Sequence, residues 1–257
     1  MEQTTSSTSC NCEKCPCQKK RISVALILGI SFIIGAAVIG FAFYQTRVTE
    51  DTLQVTGSAK KTIISDVVKW NSTFSRSVDA NNLKEGYAQM ASDLEKITNF
   101  LKDNGIDISQ ITISPIYLDE RYDYSKSGNN LLGYTLRQNV QVQSTEVQKI
   151  TDLAKNTYGL IEQGVIFSTQ SLAYYYTKLP EVRVDLLTDA VKDAQNRATK
   201  IAESSGQKIG LLKSASMGVV QVLPVNSVDV SDYGAYDTSS IEKEVMITVR
   251  TTFRISK

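Results

Sequence analysis

An uncharged apolar run near the N-terminus divides the chain into two unequal parts. Residues 22–46 carry no charged side chain, and roughly 20 apolar residues in a helix are enough to cross a ~30 Å hydrocarbon core. Positive charges are concentrated before this run, and only Arg47 closely follows it; those before it are Lys14, Lys19, Lys20 and Arg21. This bias predicts a single-pass anchor in the cell membrane, with residues 1–21 in the cytoplasm and the large C-terminal part outside it.

A cleaved signal peptide is the alternative interpretation of the same run. Its apolar core would typically be about 7–15 residues long, and this run is longer. The run also ends at Tyr44 to Arg47 without a small-x-small cleavage site. The pattern therefore favours an uncleaved signal anchor, joined by a linker at residues 47–52 to an outer domain at residues 53–257.

The outer domain alternates between strand-like and helix-like patterns. Residues 67–78 alternate apolar and polar side chains, as in a strand with one wet face, and Trp70 falls in the row expected to enter the core. Residues 83–101 and 181–205 carry apolar side chains at steps of three and four, which predicts amphipathic helices. Residues 245–253 alternate again as a last strand. The order predicts an α+β domain with a largely antiparallel sheet and helices packed on one face.

Two polar, tyrosine-rich loops are the predicted contact sites for a partner or a neighbouring subunit. The first, residues 117–130, forms the tip of a long hairpin. The second, residues 224–240, follows a predicted strand at residues 215–222, which is expected to pair with the last strand. The predicted contact residues are Tyr117, Arg121, Tyr122, Tyr124, Tyr233 and Tyr236.

Composition removes several classes of chemistry from the outer domain. The chain has no histidine and its cysteines all lie before residue 18, which excludes Ser-His-Asp triads and His or Cys metal sites there. Carboxylate, Tyr, Lys and Ser side chains remain for chemistry, and a hydrolase of cell-envelope material using Asp119, Glu120 or Asp123 is the enzymatic alternative. The 28 basic and 27 acidic residues give a net charge of +1, which argues against nucleic acid as a partner. We expect no catalytic residue and no enzyme activity.

The four cysteines of the N-terminal tail are spaced so that they could surround one soft metal ion. They are Cys10, Cys12, Cys15 and Cys17. Thiolates are good zinc ligands, and structural disulfides are rare in the reducing cytoplasm. Zinc sites usually draw on two separated pairs of ligands, however, and the preceding Ser- and Thr-rich stretch is typical of disorder. A disordered, acylated tail is therefore the alternative to zinc, and no other cofactor is predicted.

Motifs in the outer domain resemble the SIMPL-domain family of bacterial proteins. Residues 53–59 are similar to its opening V-x-G-x-G/A strand, with Ala59 in place of the second glycine. Residues 190–202, with Gly206 and Gly210, are similar to its A-x-x-D-A-[RK]-x-K-A-x-x-[LI]-A-x-x-x-G-x-x-[LI]-G helix. Shorter matches lie at residues 104–106, 111–112 and 133–134.

The resemblance implies a secreted, periplasmic or membrane-attached protein. Some members form ring-like homo-oligomers, the family is linked to stress responses, and no catalytic residues are established for it. Our leading hypothesis is a membrane-anchored, extracytoplasmic, non-enzymatic assembly or interaction domain that acts as a homo-oligomer in envelope stress response. The alternatives are the carboxylate hydrolase and a sensor that couples an outer ligand to the cysteine tail. Within the matching helix, Asp193 and Arg197 are spaced for a structural ion pair.

Overall fold

The computed structural model of this chain describes residues 16–48, 51–123, 130–229 and 231–256. Helix α1 (Pro16–Val48) contains the whole predicted anchor, and its exposed span Leu26–Gln45 is long and apolar enough to cross a membrane. A signal sequence has the same properties, so the helix is consistent with both interpretations of this segment. The helix is longer than predicted, because it begins within the predicted tail and continues into the predicted linker.

The remaining described residues form an α+β domain with mainly antiparallel strands, which confirms the predicted fold class. The strands form two five-stranded sheets within these residues, whereas the sequence pattern suggested one. In chain order the elements are β1 (Thr52–Ile64), β2 (Val67–Asp79), α2 (Leu83–Asp103), β3 (Ile111–Ile113), β4 (Tyr117–Asp123), β5 (Asn130–Ser144), α3 (Val147–Lys155), α4 (Tyr158–Glu162), β6 (Phe167–Tyr175), α5 (Leu179–Ser204), β7 (Lys208–Met217), β8 (Gln221–Pro224), β9 (Ala235–Tyr236) and β10 (Glu242–Ser256).

The first sheet is built around the long last strand, β10. On one side β10 pairs with all of β1, from Thr52 opposite Arg254 to Ile64 opposite Glu242. On its other side it pairs with β8 and then with β7, which confirms the predicted pairing of the last strand. The predicted strand at residues 215–222 is divided between β7 and β8. Helix α5 covers one face of this sheet and places a row of alanines against alternate side chains of β1 and β10.

The second sheet has the order β3-β5-β2-β6, with β4 also paired to β5. Alternate side chains of β2 and β5 form a core with α2, α3 and α4. Trp70 lies fully inside this core, as predicted from its position in the apolar row, and its indole nitrogen donates to the Thr169 hydroxyl at 3.1 Å. The opposite face of β2 and β5 is polar and open to solvent.

The chain passes from one sheet to the other in the short turn between β1 and β2. Two backbone hydrogen bonds of 2.9 Å hold this turn, from the Ser65 amide to the Ile241 carbonyl and from the Asp66 amide to the Tyr175 carbonyl. The first two strands therefore belong to different sheets although only two residues separate them. Strand β1 completes the sheet formed by the C-terminal part of the chain.

Candidate functional site

The first tyrosine-rich segment is mostly a strand rather than a loop. Strand β4 continues to Asp123 and pairs with β5, so that Tyr117 lies opposite Arg137 and Arg121 opposite Gly133. The predicted loop at residues 117–130 was therefore too long. Tyr117, Arg121 and Tyr122 lie on the strand, and Tyr124 lies outside the described residues.

The neighbouring carboxylates do not face a common substrate position. Asp119 and Glu120 are adjacent on β4, and successive side chains of a strand point to opposite faces. Arg137 donates a hydrogen bond to Asp119 on one face, and the Tyr122 hydroxyl donates one to Glu120 on the other. A hydrolase needs its acid and its base on the same substrate, so Asp119 and Glu120 do not form such a pair. The third predicted carboxylate, Asp123, is the last residue of β4.

The second loop gives its two tyrosines different roles. The Tyr236 ring stacks on Tyr175 with centroids 6.2 Å apart, and its hydroxyl accepts a 2.9 Å hydrogen bond from the Tyr176 amide. Tyr236 thus joins the first sheet to the end of β6 and the residue after it, and it is 39% exposed. Tyr233 is 97% exposed and stays a candidate contact residue.

A buried ion pair between Asp237 and Lys243 holds the end of the second loop. Lys243 is fully buried, with its Nζ 3.3 Å from a carboxylate oxygen of Asp237, and it also donates to the Ser240 carbonyl. Burial alone would raise the pKa of Asp237, but hydrogen bonds from Ser239 and Ser240 and the Lys243 charge outweigh it and hold that pKa well below its usual value. Burial lowers the pKa of Lys243, and the Asp237 charge opposes this. The pair has a structural role in this loop.

A second buried pair connects β2 to α2 and was not predicted. The Arg76 guanidinium donates two hydrogen bonds to Asp93, of 2.5 and 2.8 Å, and a third of 2.6 Å to the Gly164 carbonyl. Asp93 is 2% exposed, and its hydrogen bonds raise the pKa of Arg76. The available sequence signal was the position of Asp93 between Met90 and Ile97, on the buried stripe of the helix.

The motifs at residues 53–59 and 190–202 meet where α5 crosses β1. Gly57 lies against the backbone of Ala190 and Ala194, and the Ser58 amide donates a 2.8 Å hydrogen bond to Asp193. Arg197 lies 2.8 Å from the same Asp193 oxygen, at the predicted spacing of one helical turn. The Ser58 amide, and after it Arg197, hold the pKa of Asp193 below its usual value. Asp193 thus accepts the hydrogen bond of a backbone amide on the edge strand β1, which is a structural role.

The predicted metal site cannot be placed. Cys10, Cys12 and Cys15 lie outside the described residues, and only the backbone of Cys17 is described, in α1. Elsewhere in the described part of the chain, no cluster of three or more metal-ligating side chains is present. Zinc binding by the four cysteines stays a prediction.

These observations define an α+β domain of two sheets behind an apolar N-terminal helix, with β1 and α5 in close backbone contact at Gly57. The model of the SIMPL family, described as a protein of unknown function (DUF541), matches residues 53–254. The chain belongs to the SIMPL family, as its motifs indicated. It is similar to the uncharacterized protein YggE of Edwardsiella ictaluri, with 25% identity over 201 residues that cover 77% of this chain and 81% of that protein.

Proposed function

We propose that this chain is a single-pass membrane protein whose SIMPL domain lies outside the cytoplasm and associates with further copies of itself. In this proposal the domain is an assembly or interaction module without catalytic chemistry. The observation that carries the proposal is the exposed edge strand β7. Helix α1 supplies the anchor that brings several copies into one membrane.

Strand β7 offers an unpaired, partly apolar edge. It pairs with β10 on one side, and no strand of the described residues pairs with its other side. Leu211 is 80% exposed on this strand, and the neighbouring Leu212 and Met217 are exposed as well. An exposed strand edge is a template for pairing with another chain.

The anchor keeps this edge near the membrane surface. Only four peptide steps separate Val48 at the end of α1 from Thr52 at the start of β1, a reach of about 14 Å. Thr52 lies opposite Arg254 in the register of the first sheet, and Lys208, the first residue of β7, lies opposite Ser256. Copies anchored in one bilayer would therefore meet at a raised effective concentration.

Envelope stress response is the process we propose for this assembly, on the basis of the family resemblance. A strain lacking this chain should then grow more poorly than its parent under envelope stress, and expression of the full chain should restore growth. Equal growth of both strains would refute a role for this chain in envelope stress response.

Light scattering on the full chain in detergent tests self-association. A protein mass well above the 28.4 kDa of one chain is expected. Leu211→Lys should reduce this mass, because a buried unpaired charge opposes edge pairing. Val184→Lys is the matched control, since Val184 is 66% exposed on α5, away from β7. A single-chain mass at every concentration would refute self-association. Equal masses for the two variants would show that the β7 edge is not the surface through which the copies associate.

A further inference from the structure

A concave polar surface lies on the open face of the second sheet. Val140 and Val142 of β5 are buried against the helices, so Asn139 and Gln141 point to the opposite face. A cavity of about 510 Å³ lies there, which is within the usual range for small-ligand sites. Its principal polar lining residues are Asn71, Thr112, Arg137, Asn139, Gln141 and Gln170.

Two irregularities of the sheet accompany this cavity. In β6, Gln170 is an extra residue, because Asn71 pairs with Ser171 while the next residue of β2 pairs with Thr169. On the other side, the chain leaves the sheet at Pro115 between β3 and β4. Bulges redirect side chains and are common beside binding sites. Here the bulged Gln170 lines the cavity.

The polar side chains of the cavity have hydrogen-bonding capacity to spare. The side chains of Thr112, Asn139, Gln141 and Gln170 make no hydrogen bond within the described part of the chain. Each amide side chain can donate two hydrogen bonds and accept others at its oxygen, and the threonine hydroxyl can both donate and accept. Asn71 donates to the Ser171 hydroxyl at 3.0 Å and keeps its carbonyl oxygen for another partner.

The charge of this surface favours a neutral ligand. Arg137 is the single charged residue of the lining, and its guanidinium is already paired with Asp119. Phosphate-rich ligands are bound through clusters of basic side chains, which this lining lacks. Amides and hydroxyls placed together match a ligand that both donates and accepts many hydrogen bonds.

An aromatic side chain paired with the lining residue Arg137 points to the class of that ligand. Tyr117 lies opposite Arg137 on β4, on the same face of the sheet, and is 51% exposed. An exposed aromatic side chain combines an apolar ring with a polar end, which suits the C–H and O–H groups of a sugar. We infer that this surface binds a neutral oligosaccharide, with Asn139, Gln141 and Gln170 as its hydrogen-bonding residues. This surface is separate from the β7 edge, so either proposal can fail without the other.

Calorimetric titration of the full chain with chitotetraose and with maltotetraose tests this inference. The detergent must lack a sugar headgroup, since a glycoside would compete for the site, and lauryldimethylamine oxide meets this condition. Saturable binding of at least one oligosaccharide is expected, with a Kd of about 1 mM or tighter. The double variant Asn139→Ala, Gln141→Ala should weaken it about tenfold or more, which corresponds to the loss of a few hydrogen bonds.

Gln143→Ala is the matched control, because Gln143 lies on the same strand and face but outside the cavity lining. It should bind as the unchanged chain does. The inference is overturned if neither oligosaccharide binds at about 10 mM, or if the double variant and the Gln143 variant bind equally. It is also overturned if only an anionic polymer such as heparin binds and salt abolishes that binding.

Discussion

Gly57 of β1 and Ala190 of α5 approach so closely that a methyl group on Gly57 would lie 2.2 Å from the Ala190 carbonyl oxygen. The same methyl group would lie 2.5 Å from the Ala194 nitrogen. Both neighbours are helix backbone atoms, which cannot move aside singly. The glycine thus sets the distance between the helix and the first sheet.

Gly57→Ala should therefore destabilise the domain by about 3 kcal/mol, because the whole helix must move away from the sheet. Urea denaturation of the detergent-solubilised chain measures this change in the free energy of unfolding. Ser58→Ala is the control, since it keeps the backbone amide that Asp193 accepts from. Equal midpoints for the two variants would contradict the close packing.

The carboxylate of Asp193 should contribute to stability through the β1 edge. Asp193→Ala removes the acceptor of the Ser58 amide and is expected to cost about 1 kcal/mol. Asp189→Ala, one turn earlier on α5, removes only an exposed pair with Lys192 and should cost almost nothing. Thermal unfolding of both variants checks this, and equal losses would mean that the amide contact contributes no stability.

The Arg76 and Asp93 pair should show strong coupling. Arg76→Met leaves the Asp93 carboxylate buried without its partner, which should cost about 3 kcal/mol. Adding Asp93→Leu removes the stranded charge, so the double variant should be more stable than the single one. A double-mutant cycle by urea denaturation measures the coupling. Additive losses would show that the two side chains act independently.

Asp237 should make stability depend on acid pH. Its pKa in the folded protein is below the unfolded value of about 3.9, so its contribution is present above that value and is lost as the pH falls through the folded pKa. Asp237→Asn should thus lower the free energy of unfolding at pH 7, by an amount that shrinks below about pH 4. Asp229→Asn, exposed in the same loop, is the control and should change little at either pH. A deficit of Asp237→Asn that stays constant down to pH 2 would contradict the lowered pKa.

The confinement of cysteine to the tail allows a direct topology test. All four cysteines lie at residues 10–17, so a membrane-impermeant maleimide should label the unchanged chain only after the cells are opened. In a chain whose four cysteines are replaced by serine, Ser227→Cys should be labelled in intact cells. The reverse labelling pattern would show that the chain has the opposite orientation in the membrane. Loss of the tail from the mature protein would identify a cleaved signal sequence.

Local patterns predicted much of this fold. The apolar run, the alternating strand of Trp70 and the last strand appear as expected, because each depends on the spacing of side chains within one segment. Strand β4 was less predictable. The charged and tyrosine-rich residues after Leu118 have no apolar alternation, and they form a strand because β5 supplies their hydrogen-bond partners.

By itself the sequence determined the apolar N-terminal helix, the absence of histidine and cysteine from the domain that follows it, the α+β class and the family. These follow from composition and from short motifs. Only the tertiary structure decided that β1 pairs with the last strand, Thr52 opposite Arg254, and that its motif meets that of α5. The physical reason is that such pairing depends on which distant edges and faces can be buried together, and no local spacing records that choice. The buried pair Arg76 and Asp93 and the polar cavity of the second sheet depend in the same way on segments brought together by folding.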